Sequence, residues 1–335
     1  MIAVQSVSIL GSTGSIGKQA LDVARNLGLQ VTGLAAGHQV DEIERQIKEF
    51  RPAMAALADE SAAEVLRERL KGFPTQIFSG AEGVCEVARG RGDIVLNAVV
   101  GIAGLAPTLA VIEAGKDLAL ANKESLVTGG ELVIRRAKEK NVRIFPVDSE
   151  HSAIFQSLQG CAAHAEVKRL ILTASGGPFF HFSREQLQNI SPKEALNHPN
   201  WKMGRKITVD SATLINKGLE LIEAAWLFAL PPEKIKIVIH RQSLLHSAVE
   251  FADNAVIAQL GVADMRIPIQ YALTYPHRVP SPSHELDWFS MSALTFERPD
   301  EEVFSGLSLC REAINRGGLV PTSLNGSVGE GVESF

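Results

Sequence analysis

"SILGSTGSIGKQAL", Ser8 to Leu21, decides the fold. An apolar run ends in three glycines, Gly11, Gly14 and Gly17, and a helix-forming segment follows at once. Glycines at such a turn let the backbone bend tightly and approach a pyrophosphate. The helix N-terminus adds N–H groups and the positive end of its dipole. The spacing is GxxGxxG rather than GxGxxG, so its place between strand and helix carries more weight than the spacing.

Working outward, the first half alternates. "VQSVSIL", "LQVTGLAA", "MAALA", "DIVLNAVV", "DLALAN" and "VRIFPV" read as strands. "GKQALDVARNLG", "DEIERQIKEF", "SAAEVLRERLKG", "LAPTLAVIEAG" and "GGELVIRRAKEK" read as the helices between them. That rhythm predicts an α/β fold, a Rossmann-type parallel sheet with helices on both faces over residues 1–150. The second strand ends in Leu34-Ala35-Ala36-Gly37-His38-Gln39, with no acid before Asp41. An NAD site usually places an acid there for the ribose 2′-hydroxyl; its absence leaves room for a 2′-phosphate and favours NADP.

The second half predicts an α+β catalytic domain, residues 151–277. "RLILTASGG" and "IKIVIH" are strands, "SAVEFADNAVIAQLG" is a hairpin about Ala252-Asp253-Asn254, and "SATLINKGLELIEAAWLFAL" is one helix. Residues 278–305 are Pro/Ser-rich and read as a linker. In 306–335 only "LSLCREAINRG" reads as a helix, and the Gly-rich tail "NGSVGEGVESF" does not.

Composition narrows the function. The 335 residues are 45% hydrophobic with a formal net charge of -5, which suits a soluble globular chain and argues against a general nucleic-acid binder. Cys85, Cys161 and Cys310 are widely spaced and form no CxxC pair, which suggests a reducing compartment and no zinc knuckle. No apolar run approaches the ~20 residues that span a bilayer. The N-terminus shows no secretory leader. These features predict a bacterial cytoplasmic protein; a plastid location would require a transit peptide already removed.

The candidate chemistry begins at "RIFPVDSEHSAIFQ", Arg143 to Gln156. If the strand persists, Asp148 and Glu150 share one face and need a cation between them. With Glu220 they form an all-oxygen donor set suited to Mg²⁺ or Mn²⁺. From spacing alone a solvated acidic loop and an unrelated helical acid explain them at least as well. Lys217 and Glu220 lie on one helix face, and Ser211 and Thr213 are placed near that helix's N-terminus. "TASGGP" offers Ser175 and exposed N–H groups. "NHPNWKMGRK" offers His198 and Trp201 in a loop that reads as a lid or as ordinary packing. "ANKESLV" puts Asn122-Lys123-Glu124 at a strand's carboxyl end, where ligands of open sheets sit.

Together these motifs resemble 1-deoxy-D-xylulose 5-phosphate reductoisomerases, of the non-mevalonate isoprenoid pathway. The resemblance runs through "ILGSTGSIG", "LANKESLV", "FPVDSEHSAIFQ", "LTASGGPF", residues 198–224, "LLHSAVEF" and "ADMRIPIQYAL". It implies NADPH contacts at Thr13, Gly14, Ser15, Ile16, Gly37, Asn122, Glu124 and Gly204, and a Mg²⁺ or Mn²⁺ site of Asp148, Glu150 and Glu220. It implies substrate contacts at Lys123, Ser149, Glu150, Ser175, His198, Ser211, Asn216, Lys217 and Glu220, with Lys123, Glu150 and His198 in catalytic roles. The implied reaction is the metal-assisted rearrangement of a sugar phosphate, 1-deoxy-D-xylulose 5-phosphate, followed by hydride delivery from NADPH to give 2-C-methyl-D-erythritol 4-phosphate. A homodimer is implied, with no nucleic-acid or membrane partner. The departures are His38-Gln39 after the second strand, Arg241 where the family usually has proline, and an end about 60 residues short. That end predicts a C-terminal helical domain largely absent. The competing readings are a truncated, inactive NADPH-binding protein and another Rossmann oxidoreductase.

Overall fold

The computed structural model describes residues 4–161, 166–199, 201, 204–291 and 293–334. The chain divides into two compact units. The first comprises Met1–Ser125, Gly129–Asp148 and Met265–Ser283, and the second Leu126–Thr128, Ser149–Asp264 and His284–Phe335.

The first unit is built on a seven-stranded parallel sheet. Its strands are β1 (Ser6–Leu10), β2 (Gln30–Ala36), β3 (Met54–Leu57), β4 (Gln76–Ser79), β5 (Ile94–Asn97), β6 (Asp117–Leu120) and β7 (Ile144–Pro146), in the order β4-β3-β2-β1-β5-β6-β7. β1 lies mid-sheet and has water on neither face: Val7, Ser8, Ile9 and Leu10 are fully buried. Parallel strands covered on both faces read as continuous rather than alternating apolar runs, as this one does. The polar residue among these four, Ser8, is hydrogen-bonded through Oγ to Thr32 Oγ1 at 3.0 Å and donates to the Arg91 carbonyl at 3.1 Å. Burial without a partner would cost about 1–3 kcal/mol.

The helices are α1 (Ser15–Leu27), α2 (Val40–Phe50), α3 (Glu60–Arg69), α4 (Gly80–Arg89), α5 (Leu105–Glu113) and α6 (Glu124–Glu139). The β4–α4 pair was not legible in the sequence. β4 has only four residues, none of them buried, and α4 opens at Gly80 in the left-handed region, φ +74°. The predicted strand does not persist past Val147 either: β7 ends at Pro146 and a helix begins at Ser149, so Asp148 and Glu150 are not alternate residues of one strand.

The second unit holds a four-stranded mixed sheet, β8 (Val167–Ala174), β9 (Ile235–Ile239), β10 (Leu245–Phe251) and β11 (Val256–Leu260), ordered β11-β10-β8-β9. The expected hairpin is β10–β11, with Asn254 at φ +68° in its turn. α7 (Ser149–Ser157) packs on β10 and β11. Two short helices, α8 (Arg184–Leu187) and α9 (Pro192–Ala195), lead to α10 (Arg205–Ala212) and α11 (Ile215–Leu227). The single helix expected over 211–230 is therefore two. Thr213 closes α10 and Leu214 sits left-handed at φ +58°. Ser211 thus lies in the last turn of a helix, not at an N-terminus.

α12 (Arg266–Thr274) packs on α1, β6 and β7 of the first unit rather than with the residues preceding it in the chain. The tail is also helical, contrary to its glycine content: α13 (Gly306–Arg316) is followed by α14 (Val320–Ser334). Leu324 and Val328, one turn apart, pack on Val127, Ile215, Leu219 and Ile222, and Thr322 donates to the Thr128 carbonyl at 2.9 Å. Tertiary packing overrides the roughly 1 kcal/mol that each helical glycine costs.

Two glycines of the first turn are required by geometry. Gly11 has φ +82°, and a Cβ there would stand 2.4 Å from the Ala98 carbonyl oxygen; a Cβ on Gly17 would stand 2.2 Å from the Gly11 carbonyl oxygen. Gly37, by contrast, has open space around it. Gly11→Ala is therefore expected to lower stability by about 1–3 kcal/mol and Gly37→Ala by less than about 1. Urea unfolding followed by circular dichroism measures both; equal losses would contradict this account of the turn.

Candidate active site

In the first unit, the glycine turn is held from behind. Gly11 and Ser12 both donate N–H to the Ala35 carbonyl, at 2.8 and 2.9 Å, and Gln46 Nε2 donates to the Ser12 carbonyl at 3.0 Å. Thr13, Gly14, Ser15 and Ile16 sit at the surface of this turn and the first residues of α1. Gly14 is the N-cap and brings no side chain to the helix end, so no side chain caps the first-turn N–H groups, a setting that favours an anion. Gly37 follows β2 and is exposed. The first acid beyond it, Asp41, is drawn to Arg69 at 2.5 Å.

Asn122, Lys123 and Glu124 lie buried at the β6-to-α6 junction. The Asn122 amide donates to the Val99 and Gly101 carbonyls at 2.7 and 2.9 Å and lies 3.0 Å from Glu124 Oε2. Its oxygen accepts from the Ser125 N–H at 2.9 Å. Asn122 thus holds the loop after β5 in shape. Lys123 Nζ is 2.7 Å from Asp148 Oδ2, both side chains being largely buried.

In the second unit, Lys217 is the centre of a buried charge cluster. It projects from the first turn of α11, 4% exposed. Its ammonium donates to Glu150 Oε1 at 2.7 Å and to Glu220 Oε2. Burial alone would depress its pKa, but the Glu150 and Glu220 carboxylates outweigh that and hold it above the ordinary lysine value. Ser149 Oγ donates to Glu150 Oε2 at 2.5 Å, and Asn216 Nδ2 to Glu220 Oε1 at 2.5 Å. Every member of this group was a candidate from sequence, and the structure brings Ser149, Glu150, Asn216, Lys217 and Glu220 together. Asp148 ends the first unit two residues before Glu150, so their Cα atoms are at most about 7 Å apart.

Ser175, His198 and Trp201 form a second constellation. Ser175 Oγ lies 2.8 Å from His198 Nε2, and the Trp201 N–H donates to His198 Nδ1 at 3.0 Å. Burial, with a smaller contribution from the Arg241 charge, lowers the His198 pKa to about 4, so the ring is neutral at pH 7. Because Nδ1 accepts, the single ring proton is on Nε2 and is donated to Ser175 Oγ. The Gly177 N–H also donates to that oxygen, at 3.2 Å. With both of these donating to it, Ser175 Oγ keeps its own hydroxyl proton as a donor. Ser211 stands beside this turn, its carbonyl oxygen 2.5 Å from where a Gly177 Cβ would be. Gly204 caps α10 and is exposed. Asn200, Lys202 and Met203 of the expected lid lie outside the described residues.

Sequence reasoning missed the buried partners. His151 and Glu223 are fully buried. His151 Nε2 lies 2.9 Å from the Glu220 carbonyl and Nδ1 3.6 Å from Glu223 Oε2, which ties α7 to α11 behind the carboxylates. The signal was present in "DSEH" and "GLELIE", two polar residues at otherwise apolar helical positions.

Comparison with known proteins identifies the family. The 1-deoxy-D-xylulose 5-phosphate reductoisomerase family profile matches residues 7–130, and two profiles of its C-terminal domains match residues 144–228 and 260–335. The last match covers α13 and α14, so the expected large absence of C-terminal structure is not supported. The curated reductoisomerase of Lachnospira eligens is 51% identical over 96% of this chain and 85% of its own length. That of Chlorobaculum tepidum is 51% identical over 99% and 87%. Among solved structures, a DOX-P reductoisomerase in complex with NADPH, fosmidomycin and magnesium superposes with a TM-score of 0.95 at 43% identity, over 99% of this chain and 84% of that one. The Zymomonas mobilis enzyme in complex with NADPH gives 0.89 at 42% identity, over 96% and 84%. The chain belongs to the 1-deoxy-D-xylulose 5-phosphate reductoisomerase family.

Proposed function

We propose that this chain converts 1-deoxy-D-xylulose 5-phosphate to 2-C-methyl-D-erythritol 4-phosphate, with NADPH as reductant and Mg²⁺ or Mn²⁺ as its metal. One observation carries the reading: two carboxylates, the half-buried Glu150 and the buried Glu220, are gathered around a single ammonium in a chain that also carries a nucleotide-type glycine turn. A simple dehydrogenase has no use for such a cluster.

The donor chemistry fits a hard cation. Glu150, Glu220 and Lys217 together carry one net negative charge, and Asp148, Glu150 and Glu220 offer carboxylate oxygens. Asp148, Glu150 and Glu220 would hold the ion, which when bound supplies Lewis-acid stabilisation of substrate oxygens. The uncapped start of α1, with Thr13 to Ile16, and the open Gly37 would hold NADPH, which supplies the hydride. Asn122 and Glu124 shape that site from the β6 end, and Gly204 would contribute N–H donors from the start of α10.

The remaining roles fall to this chain's own groups. Lys123, paired to Asp148, places a positive charge and a proton at the end of β6. Ser149 and Asn216 orient Glu150 and Glu220 by hydrogen bonds. Lys217 directs two of its three N–H bonds at carboxylates and keeps one for the substrate. Ser175, with its hydroxyl proton kept as a donor, and Ser211 would take the phosphate, and neutral His198 steers the Ser175 proton. Phosphate contacts remote from the reacting carbons position them. Trp201, whose ring is 6.0 Å from that of His246, would cover the substrate. A homodimer is supported by edge strand β11, where Val256 and Ile257 are 54% and 41% exposed. A bacterial cytoplasmic location is in keeping with the bacterial relatives and the free thiols.

Three outcomes are expected. NADPH absorbance falls only when the ketose phosphate and Mg²⁺ or Mn²⁺ are both present, and chelation stops it. NADPH binding without turnover would contradict the reading. Glu220→Gln lowers kcat/KM by at least about a hundredfold with NADPH affinity unchanged. Third, the His198 C2–H resonance titrates well below the ordinary histidine value of about 6.5. The unfolded chain binds this proton near 6.5 and the folded chain only near 4, so stability falls as pH drops through that window. His198→Gln flattens that part of the slope in urea melts between pH 7 and 4; an unchanged slope would contradict it.

A further inference from the structure

Arg241 belongs to none of the roles above. It sits in the turn between β9 and β10, and that turn is fixed on both sides of it. His240, 1% exposed, lies with Nδ1 3.0 Å from the Thr295 carbonyl, while Nε2 accepts from the Leu244 and Leu245 N–H groups at 3.2 Å each. Gln242 Nε2 donates to Thr295 Oγ1 at 2.8 Å. Ser243, at φ +53°, closes the turn by donating to the His240 carbonyl at 3.2 Å. From this mount the Arg241 side chain crosses to the Ser175 turn. Nη1 donates to the Ser175 carbonyl at 3.1 Å and to the Gly177 carbonyl at 2.6 Å, and the guanidinium lies 5.2 Å from the Phe180 ring centroid.

We propose that Arg241 is a positioning residue for the phosphate end of the site, clamping the Ser175–Gly177 turn so that its donors face the anion. Two carbonyl dipoles converge on one nitrogen and would repel each other without the cation between them. Gly176 and Gly177 are both left-handed, at φ +80° and +69°, and within the turn the Gly177 N–H donates to Ser175 Oγ. The peptide unit is planar and trans, so directing the Ser175 carbonyl at Arg241 turns the Gly176 N–H the opposite way. The same clamp keeps Ser175 Oγ on His198 and presses Gly177 against Ser211. The positive charge also helps keep His198 neutral, which leaves Ser175 its hydroxyl proton as a donor.

The inference rests on the reading that Ser175 and Ser211 receive the substrate's phosphate. The test compares wild type, Arg241→Met and Arg241→Lys at saturating Mg²⁺, reading KM for 1-deoxy-D-xylulose 5-phosphate, KM for NADPH, and Ki for inorganic phosphate. In Arg241→Met the sugar-phosphate KM and the phosphate Ki rise together by about tenfold or more, while KM for NADPH stays within about twofold. Arg241→Lys keeps an ammonium that can donate to both carbonyls and recovers part of the loss. Wild-type KM and Ki in Arg241→Met overturn the inference. So does a parallel loss of NADPH affinity, which would mark general loosening. If Arg241→Met does not fold, Arg241→Lys alone decides: a raised Ki with unchanged NADPH KM supports the clamp, and an unchanged Ki overturns it. A wild-type chain that does not turn over the ketose phosphate refutes the functional reading instead. The rise in melting temperature with added inorganic phosphate, present in wild type and lost in the variant, then still reads the clamp, and its retention sinks it.

Discussion

The Lys217 ammonium between Glu150 and Glu220 is the interaction on which the second unit's site depends. Burying an ammonium or a carboxylate alone costs several kcal/mol, and two carboxylates brought together repel. Placing one cation between them answers all three problems at once. It also fixes α7, which carries Glu150, against α11, which carries Glu220, and the His151 contact to the Glu220 carbonyl repeats that tie one residue further on. Removing one member leaves an uncompensated buried charge, which is why a cluster of this kind is fragile to single substitutions and tolerant of a metal ion. The oxygen set suits a divalent cation because its donors are hard carboxylate oxygens whose negative charge the ammonium only partly offsets.

The two proposed anion sites use backbone more than side chains. At the glycine turn, Gly11 and Ser12 are anchored to Ala35, and Gly14 leaves the α1 N-terminus uncovered. At the Ser175 turn, two left-handed glycines are held by Arg241 from a turn that His240 and Gln242 fasten in place. In both, a close approach of main chain to main chain excludes any Cβ: Gly17 against Gly11 in the first, Gly177 against Ser211 in the second. Phosphates are bulky and diffuse in charge, and several rigid N–H donors serve them better than one flexible lysine.

Much of this was legible in the sequence because chemistry and local pattern coincided. The βα rhythm, the glycine turn and the hairpin at Asp253-Asn254 show as runs of residues with one consistent reading, whereas Ser149, Glu150, Asn216, Lys217 and Glu220 stood out as one group only through the family resemblance. The failures have physical causes. β4 has no buried residue to mark it. The α10–α11 break rests on one left-handed leucine, Leu214, which no residue preference announces. α14 forms against its glycines because Leu324 and Val328 find a buried surface that local sequence does not display. Arg241 was visible as an oddity, yet its targets are backbone carbonyls some 65 residues away, and a backbone carbonyl has no letter in the sequence.

The central claim is that the carboxylates gathered at Lys217 form a divalent-cation site. Electron paramagnetic resonance of Mn²⁺ titrated into the chain without substrate or NADPH tests it most directly. The account predicts one bound Mn²⁺ per chain, lost in Glu150→Gln and in Glu220→Gln and kept in Asp41→Asn, whose carboxylate lies on α2. Full Mn²⁺ binding by both glutamine variants would contradict it.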